Sequence, residues 1–595
     1  MSASEIAGLL GEIDTDPAGS AARTKLAKSL DFDRYFSIAR IYDLDHGFWS
    51  GLLSDKPADR GLALVLETRL GAVSASLAKR FDRIISWHAS DAAAALSQRW
   101  FEANGLSNIS TVVGMNLADL DSYDGDLTAV FLVGPGADPM AQWGQSGEAA
   151  VDLLLHIARA HLVADGQLII VDNNQWAYKK LMEKETGRGV ALPLLRRRLQ
   201  KMSFQTEIFV CGAPLTTSHS PPPDLFRQSS VAKGSNLPKN WLSALKASLL
   251  NQPLFRLFWP SFVVIASKKS QTSFLDRLLT RHAFGKALGW HADEKIGIKR
   301  LVAGNSGTAI VIAGPDARDS ADIVIRLPSS SHGEELCRVN ARALAALADT
   351  PWARLVPRLV DAGSFAGRSY FAETRCAGFE VYSGTNGLAQ MVVNACEAMS
   401  DLQRSIATQA TMTSDMFARH VAPLVDDVAR FCTPDVRERL AKIKDALHAK
   451  MLGGTTSIGI IHGDFKLGNI LFNQSGELTA LIDWDGFSKD SFQLFDFLTL
   501  LAYKIAYDQI ITLPKVYVAH LLPWRLPSGY NELMGPAIKD LVRDDESFLC
   551  VRIVFWFALL RARFDSVYKY HESWHEEYMA PVLVAIELAL KEPAG

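Results

Sequence analysis

Four polar residues, His462, Asp464, Asn469 and Asp483, with Gly463 between the first two, sit close together between apolar strand-like runs. The runs 470–472 and 479–482 are β-prone and flank Asn473-Gln474-Ser475-Gly476, a turn-forming tetrad. A hairpin centred near Gly476 brings Asn469 opposite Asp483 at its open end. An amide oxygen and a carboxylate at one corner are hard ligands that suit Mg²⁺. Asp464, five residues before Asn469, lies on the loop entering that corner, where it can accept the proton of an attacking hydroxyl. Asp485 either shares the metal-facing side or is simply solvated. The bland alternative is a surface turn followed by a strand-end carboxylate, but that leaves the order and spacing of the set unexplained.

His462-Gly463-Asp464, then Asn469, then Ile482-Asp483-Trp484 resembles the HGDxxxxN…ID[WF] pattern of the aminoglycoside phosphotransferase and choline kinase-like families, relatives of protein kinases. The resemblance implies an ATP- and Mg²⁺-dependent phosphotransferase. It makes Asp464 the catalytic base and Asn469 and Asp483 the metal ligands. His462 braces the loop, and Asp496 in Phe495-Asp496-Phe497 tethers it.

Upstream, the resemblance calls for a β-rich nucleotide lobe. Gly304, Asn305, Ser306 and Gly307 lie between two strands, where small residues let backbone N–H groups approach phosphates; a plain hairpin reads equally well. Arg326, on the strand 322–328, is the candidate for the α/β-phosphate contact, because guanidinium matches phosphate oxygens bidentately. Glu373 and Thr374 end a strand similar to the adenine-binding hinge, which also reads as an ordinary edge strand. One position departs from the pattern. Asn340 stands in the helix 338–348 where the family carries glutamate, so that Glu334 or Glu335 replaces the ion pair or the pair is absent.

Before this region, strand and helix patterns alternate: strands near 62–66, 82–87, 111–113, 129–133, 167–171 and 262–266, helices near 72–80, 91–104 and 151–162. Such alternation implies βαβ units and a parallel, doubly wound sheet. Residues 61–268 resemble class I S-adenosylmethionine-dependent methyltransferases in this layout, in the 163–170 strand and in the apolar closing strand. The cofactor motif is degenerate. Glu67 ends the first strand; Arg69, Gly71 and Val73 fill the three places of GxGxG, so one glycine survives and the loop is crowded. His88 stands where an acid binds the ribose hydroxyls. A working methyltransferase and a fold kept for architecture or substrate recruitment are both open. Asp172 to Trp176 is either a substrate segment or a capped turn.

Composition bounds the rest. A chain of 595 residues exceeds one hydrophobic core. Net charge of −3 without a basic stripe argues against a nucleic-acid partner. Six scattered cysteines suit a reducing compartment. No apolar run reaches a membrane span, and the N-terminus lacks a signal peptide's pattern; a cytoplasmic protein is expected.

The expected organisation is a helical extension (1–58), a Rossmann-like α/β domain (59–269) and an α+β bilobal kinase-like domain (270–378 and 379–595). The expected acceptor is a small molecule or glycan bearing a hydroxyl: a sugar, glycan end or amino alcohol. A bifunctional methyltransferase–kinase of cell-surface glycan assembly and a non-catalytic nucleotide-binding module are the alternatives. Glu572, Glu576 and Glu577 could hold a cationic acceptor or be solvated. Oligomeric state is not addressed by the sequence.

Overall fold

The computed structural model describes residues 48–54, 60–66, 71–88, 91–103, 105–113, 127–133, 147–173, 191–211, 224–227, 259, 261–269 and 272–591, the last stretch apart from 292, 305–306, 317–321, 330, 382–384, 386, 407, 532–537, 539–540, 542–543 and 563–574. Glu67, Arg69, Asn305, Ser306, the 174–176 segment, Glu572 and most of the 1–58 extension lie outside them. The chain forms two compact units. One holds the described residues up to Glu334 together with Val360–Arg375, and the other holds Glu335–Leu359 and Cys376 onwards.

In the first unit the α/β layout is as expected. The elements are β1 (Leu62–Leu66), α1 (Ala72–Leu77), β2 (Arg83–His88), α2 (Asp91–Ala103), β3 (Ile109–Val113), β4 (Leu127–Val133), α3 (Gly147–His161) and β5 (Leu162–Asn173). Then come α4 (Leu192–Lys201), β6 (Gln205–Cys211), β7 (Asp224–Arg227) and β8 (Ser261–Ser267). Strand β1 pairs in parallel with β2 and β4, β2 with β3, and β4 with β5, which is the doubly wound order. Strand β8 runs antiparallel between β5 and β6. All residues of β1 and β8 are buried, as strands covered on both faces must be, so they read as unbroken apolar runs.

The sheet does not stop at residue 269. After α5 (Phe274–Leu279) and α6 (His282–Leu288) come β9 (Ile296–Ala303), β10 (Thr308–Pro315), β11 (Ile323–Pro328), α7 (Ser331–Leu347), β12 (Leu359–Phe365) and β13 (Arg368–Thr374). Short β7 pairs antiparallel with β6 on one side and with β9 on the other. Among the described residues this makes one 13-stranded sheet, ordered β12-β13-β11-β10-β9-β7-β6-β8-β5-β4-β1-β2-β3. One buried cluster runs beneath it, from Trp49, Val65 and Phe131 through Phe274 and Leu275 to Val311, Ile325 and Tyr370. Strand β13 lies between β12 and β11, so it is not an edge strand.

The second unit is mostly helical: α8 (Leu388–Ile406), α9 (Ser414–His420), α10 (Ala422–Ala429), α11 (Pro434–Met451), α12 (Leu494–Gln509), α13 (Asp545–Arg561) and α14 (Ala580–Lys591). Two small antiparallel sheets interrupt the helices. One orders β14 (Phe379–Glu380), β17 (Ile470–Phe472) and β18 (Leu478–Leu481); the other orders β15 (Thr408–Thr411), β16 (Thr455–Ile461) and β19 (Ser488–Phe492). Their apolar faces and those of the helices share one core that includes Phe465, Ile470, Trp484, Phe497 and Trp556. The apolar run 554–560 is part of buried α13, and no described helix is long and apolar enough to cross a membrane.

Candidate active site

Strand β16 ends at Ile461 and delivers His462, Gly463 and Asp464 into a loop whose shape three neighbours determine. Asp496, in the first turn of α12, is fully buried. Its Oδ2 accepts the His462 N–H at 2.9 Å and a Gln403 side-chain N–H at 3.1 Å, and its Oδ1 accepts the Gly463 N–H at 2.9 Å. Burial pushes the carboxyl up to about 7, against the pull of those three donors. Asp496 thus holds the backbone of the loop at two successive amides.

His462 is also fully buried. It donates from Nε2 to the Ile482 carbonyl at 3.0 Å, while its Nδ1 accepts the Asp464 N–H at 3.3 Å. A carbonyl only accepts and an amide only donates, so the ring is neutral with its proton on Nε2. Burial lowers its pKa accordingly. His462 packs against Trp484 with ring centroids 4.4 Å apart and planes tilted by 39°, joining the loop to the turn that follows the hairpin.

Gly463 has φ +85, and its backbone lies so close to Gly486 that a Cβ would stand 2.8 Å from the Gly486 Cα and nearer still to its carbonyl. The middle residue of His-Gly-Asp must therefore lack a side chain.

The β17–β18 hairpin is shifted by one residue from the expected register. A bulge between Leu471 and Phe472 leaves Ile470 opposite Leu481, so Asn469 faces Ile482, whose N–H it accepts at 2.9 Å. Asp483 comes one residue later, with φ 66 and ψ 62 in the left-handed region. That conformation turns its carboxylate into the corner. Carboxylate oxygens of Asp464, Asp483 and Asp485 all lie within 4.8 Å of one another. Asp485, open on sequence grounds, therefore lies in the same carboxylate cluster as Asp464 and Asp483. Asn469 turns its amide nitrogen to Asp464, donating to both the main-chain oxygen and Oδ2 at 2.9 Å.

Lys466 was not singled out from the sequence. Its backbone is extended, at φ −136 and ψ 162, so it projects on the same side as Asp464 two residues earlier. Its Nζ lies 2.6 Å from Asp464 Oδ2 and 5.5 Å over the Tyr503 ring. Burial would lower its pKa, but the neighbouring Asp464 carboxylate outweighs that and holds it above the ordinary lysine value. The signal was present: an i, i+2 basic residue in an extended loop beside a carboxylate. Three carboxylates this close repel one another unless cations sit among them. Lys466 supplies one positive charge. The all-oxygen donor set of Asp464, Asp483 and Asp485 fits a hard divalent cation such as Mg²⁺.

In the first unit, Arg326 on β11 is buried and paired with Glu373 on β13, Nη2 to Oε1 at 3.1 Å. Glu373 thus engages the guanidinium through its side chain. Glu334 accepts from Ser369 Oγ at 3.0 Å, and Glu335 pairs with Arg342 at 2.6 Å. A carboxylate beside Arg326 is thus supplied by strand β13. Thr374 ends β13. The Gly304 N–H donates to the Thr308 carbonyl at 2.7 Å and Gly307 has φ +69, where the antiparallel β9–β10 pair ends.

At the degenerate cofactor motif, Gly71 keeps the left-handed conformation, but a Cβ there would meet Phe101 at 2.8 Å and Ser97 at 2.9 Å. Helix α2 fills the space beside this glycine. Val73 is not in the loop, as expected from the motif, but inside α1 and in the core. His88 ends β2 fully buried, its Nε2 2.9 Å from Ser86 Oγ, which in turn accepts from Ser74 Oγ. Burial lowers its pKa to about 4, so it is neutral and turned inward.

Residues 297–530 match the model of the phosphotransferase enzyme family. No curated relative is similar to the chain in sequence. Among solved structures, aminoglycoside phosphotransferase APH(4)-Ia, as a thermostable mutant complexed with ADP and hygromycin B, is 13% identical over 52% of this chain and 97% of its own, with TM-score 0.31. The aminoglycoside phosphotransferase APH(3'')-Id of Streptomyces rimosus is 13% identical over 48% and 98%, with TM-score 0.28. An rRNA methylase from Streptococcus thermophilus is 13% identical over 38% and 94%, with TM-score 0.21. The C-terminal half of the chain carries a phosphotransferase enzyme family domain.

Proposed function

We propose that the chain transfers a phosphoryl group from ATP to the hydroxyl of a small molecule, namely a sugar, a glycan end or an amino alcohol. One observation carries the reading: the Asp464 carboxylate lies within 4.8 Å of those of Asp483 and Asp485, on a loop anchored by buried Asp496.

In this reading Asp464 accepts the proton of the acceptor hydroxyl as its oxygen bonds to the γ-phosphorus and the bond to the ADP oxygen breaks. Asn469 donates to Asp464 Oδ2 and orients it. Lys466, at the same oxygen, offers positive charge to the transferring phosphoryl group. Asp483, with Asp485 beside it and the amide oxygen of Asn469, would hold Mg²⁺, which when bound would neutralise phosphate charge and leave Asp464 to take the proton. Arg326, kept in place by Glu373, is the phosphate-contacting residue of the first unit.

The methyltransferase-like part is architectural in this reading. His88 is buried and bonded to Ser86 rather than open to a ribose, and Phe101 packs against Gly71 so closely that even a Cβ would not fit. Calorimetry with S-adenosylmethionine should show no binding.

The decisive experiment incubates purified chain with ATP and Mg²⁺ and panels of sugars, amino alcohols and glycan fragments, read by ³¹P NMR. A new phosphate monoester with matching ADP release is the expected result. ATP left intact with every acceptor would contradict the reading.

A further inference from the structure

The residue that departs from the family pattern has a defined place. Asn340 lies on α7 with 1% of its surface exposed, and its Oδ1 accepts the main-chain N–H of Trp484 at 3.0 Å. That N–H is the first of a short 3-10 turn, Trp484–Gly486, whose opening amides have no partner within the turn itself. The residue before it, Asp483, holds a left-handed conformation that side chains other than glycine rarely adopt. Two further contacts hold the same tryptophan: its indole N–H donates to the Leu481 carbonyl at 2.9 Å, and its ring packs at a tilt against His462.

We infer that Asn340 is a positioning residue for Asp483. By accepting the Trp484 N–H it keeps the Asp483 peptide in its strained conformation, and so keeps that carboxylate beside those of Asp464 and Asp485. A neutral amide suits the place. A carboxylate at 340 would add a further negative charge one hydrogen bond from a corner that already holds three. The inference rests on the phosphotransferase reading above, but it concerns which residue shapes the corner.

The test compares Asn340→Leu, similar in volume but unable to accept a hydrogen bond, with Asn340→Asp, which keeps an acceptor oxygen. Two readouts are taken: steady-state turnover split into kcat and KM for ATP, and the Mg²⁺ concentration at which ADP gives half of its full increase in Tm. The second needs no turnover. N340L should lose kcat by on the order of a hundredfold, the cost of a roughly 1 Å misplacement in a site of this kind, with KM for ATP changed by less than about threefold. Its Mg²⁺ midpoint should rise by about tenfold or more, that is by ~1.4 kcal/mol in cation affinity. N340D should stay at least about tenfold closer to the parent kcat. If N340L does not fold, Asn340→Ala removes the same acceptor and carries the same expectation.

A wild-type Mg²⁺ midpoint in N340L or N340A would overturn the inference while leaving the phosphotransferase reading intact. Equal losses in N340L and N340D would also overturn it, because the acceptor oxygen would then not be what position 340 supplies. A parent chain that shows no Mg²⁺-dependent increase in Tm with ADP would defeat both.

Discussion

Two glycines of one loop should differ sharply in their response to the same added methyl group. Gly463 has φ +85, and a Cβ would lie 2.8 Å from the Gly486 Cα and closer still to its carbonyl. Ordinary contact begins at 3.4 Å, so Gly463→Ala must part the His-Gly-Asp loop from the 484–486 turn by roughly 1 Å, besides the ~1–2 kcal/mol of forcing alanine into the left-handed region. The loop cannot retreat freely, since Asp496 holds the 462 and 463 amides. The turn cannot retreat either without moving Asp483. The parting therefore falls between Asp464 and Asp483, where about 1 Å of misplacement costs on the order of a hundredfold in rate. Gly468, five residues along, has nothing within 4 Å of its Cβ position. Gly468→Ala should change kcat by less than about twofold and stability by no more than ~0.5 kcal/mol. The assay is ATP-dependent acceptor phosphorylation beside calorimetric Tm for both variants. Full activity in G463A, or equal losses in both, would refute the close approach as the feature that shapes the corner.

Further expectations follow from other parts of the molecule. A chain beginning at residue 270 loses the β7 partner of β9 and the Trp49–Phe131 side of a shared core; it should be insoluble or unfolded by circular dichroism, whereas the full chain folds. His88 binds protons less readily in the fold than outside it, so its contribution to stability is complete above the ordinary value of 6.5 and is lost as pH falls through about 4. Denaturant titrations at pH 7 and 4.5 should show His88→Gln sparing ~2–3 kcal/mol of the parent's acid loss. Asp496 has the opposite sense: its raised pKa favours the protonated fold, so its contribution is complete below the ordinary value of 3.8 and lost as pH rises through about 7. The ionised form is the better acceptor for the three loop donors, so kcat should fall on the acid side with a midpoint near 7. Asp496→Asn should have lower kcat at every pH and lack that acid limb.

What could be read from the sequence followed from how local each feature is. The parallel strands stood out because burial on both faces leaves unbroken apolar runs such as Leu62–Leu66. His462, Asp464 and Asn469 stood out because they occupy one loop, with chemistry-bearing types at fixed spacing. The hairpin register was missed by one residue because a bulge carries no sequence mark of its own. Strand β7 was missed for a related reason. It has four residues, follows Ser220-Pro221-Pro222-Pro223, and gains its place by pairing with Val302, Leu301 and Arg300, which lie more than seventy positions on. The Asn340 contact spans 144 positions, and nothing local announces it. Position 340 could only be flagged as a departure; its partner had to be seen.

The central claim is that one carboxylate takes the proton from an alcohol. It is tested most directly by single-turnover phosphoryl transfer from ATP in Asp464→Asn, beside Mg²⁺-dependent ADP binding by the same protein. The account predicts a rate lower by roughly 10²–10⁴-fold with nucleotide binding retained. Transfer at the parent rate in that variant would contradict it.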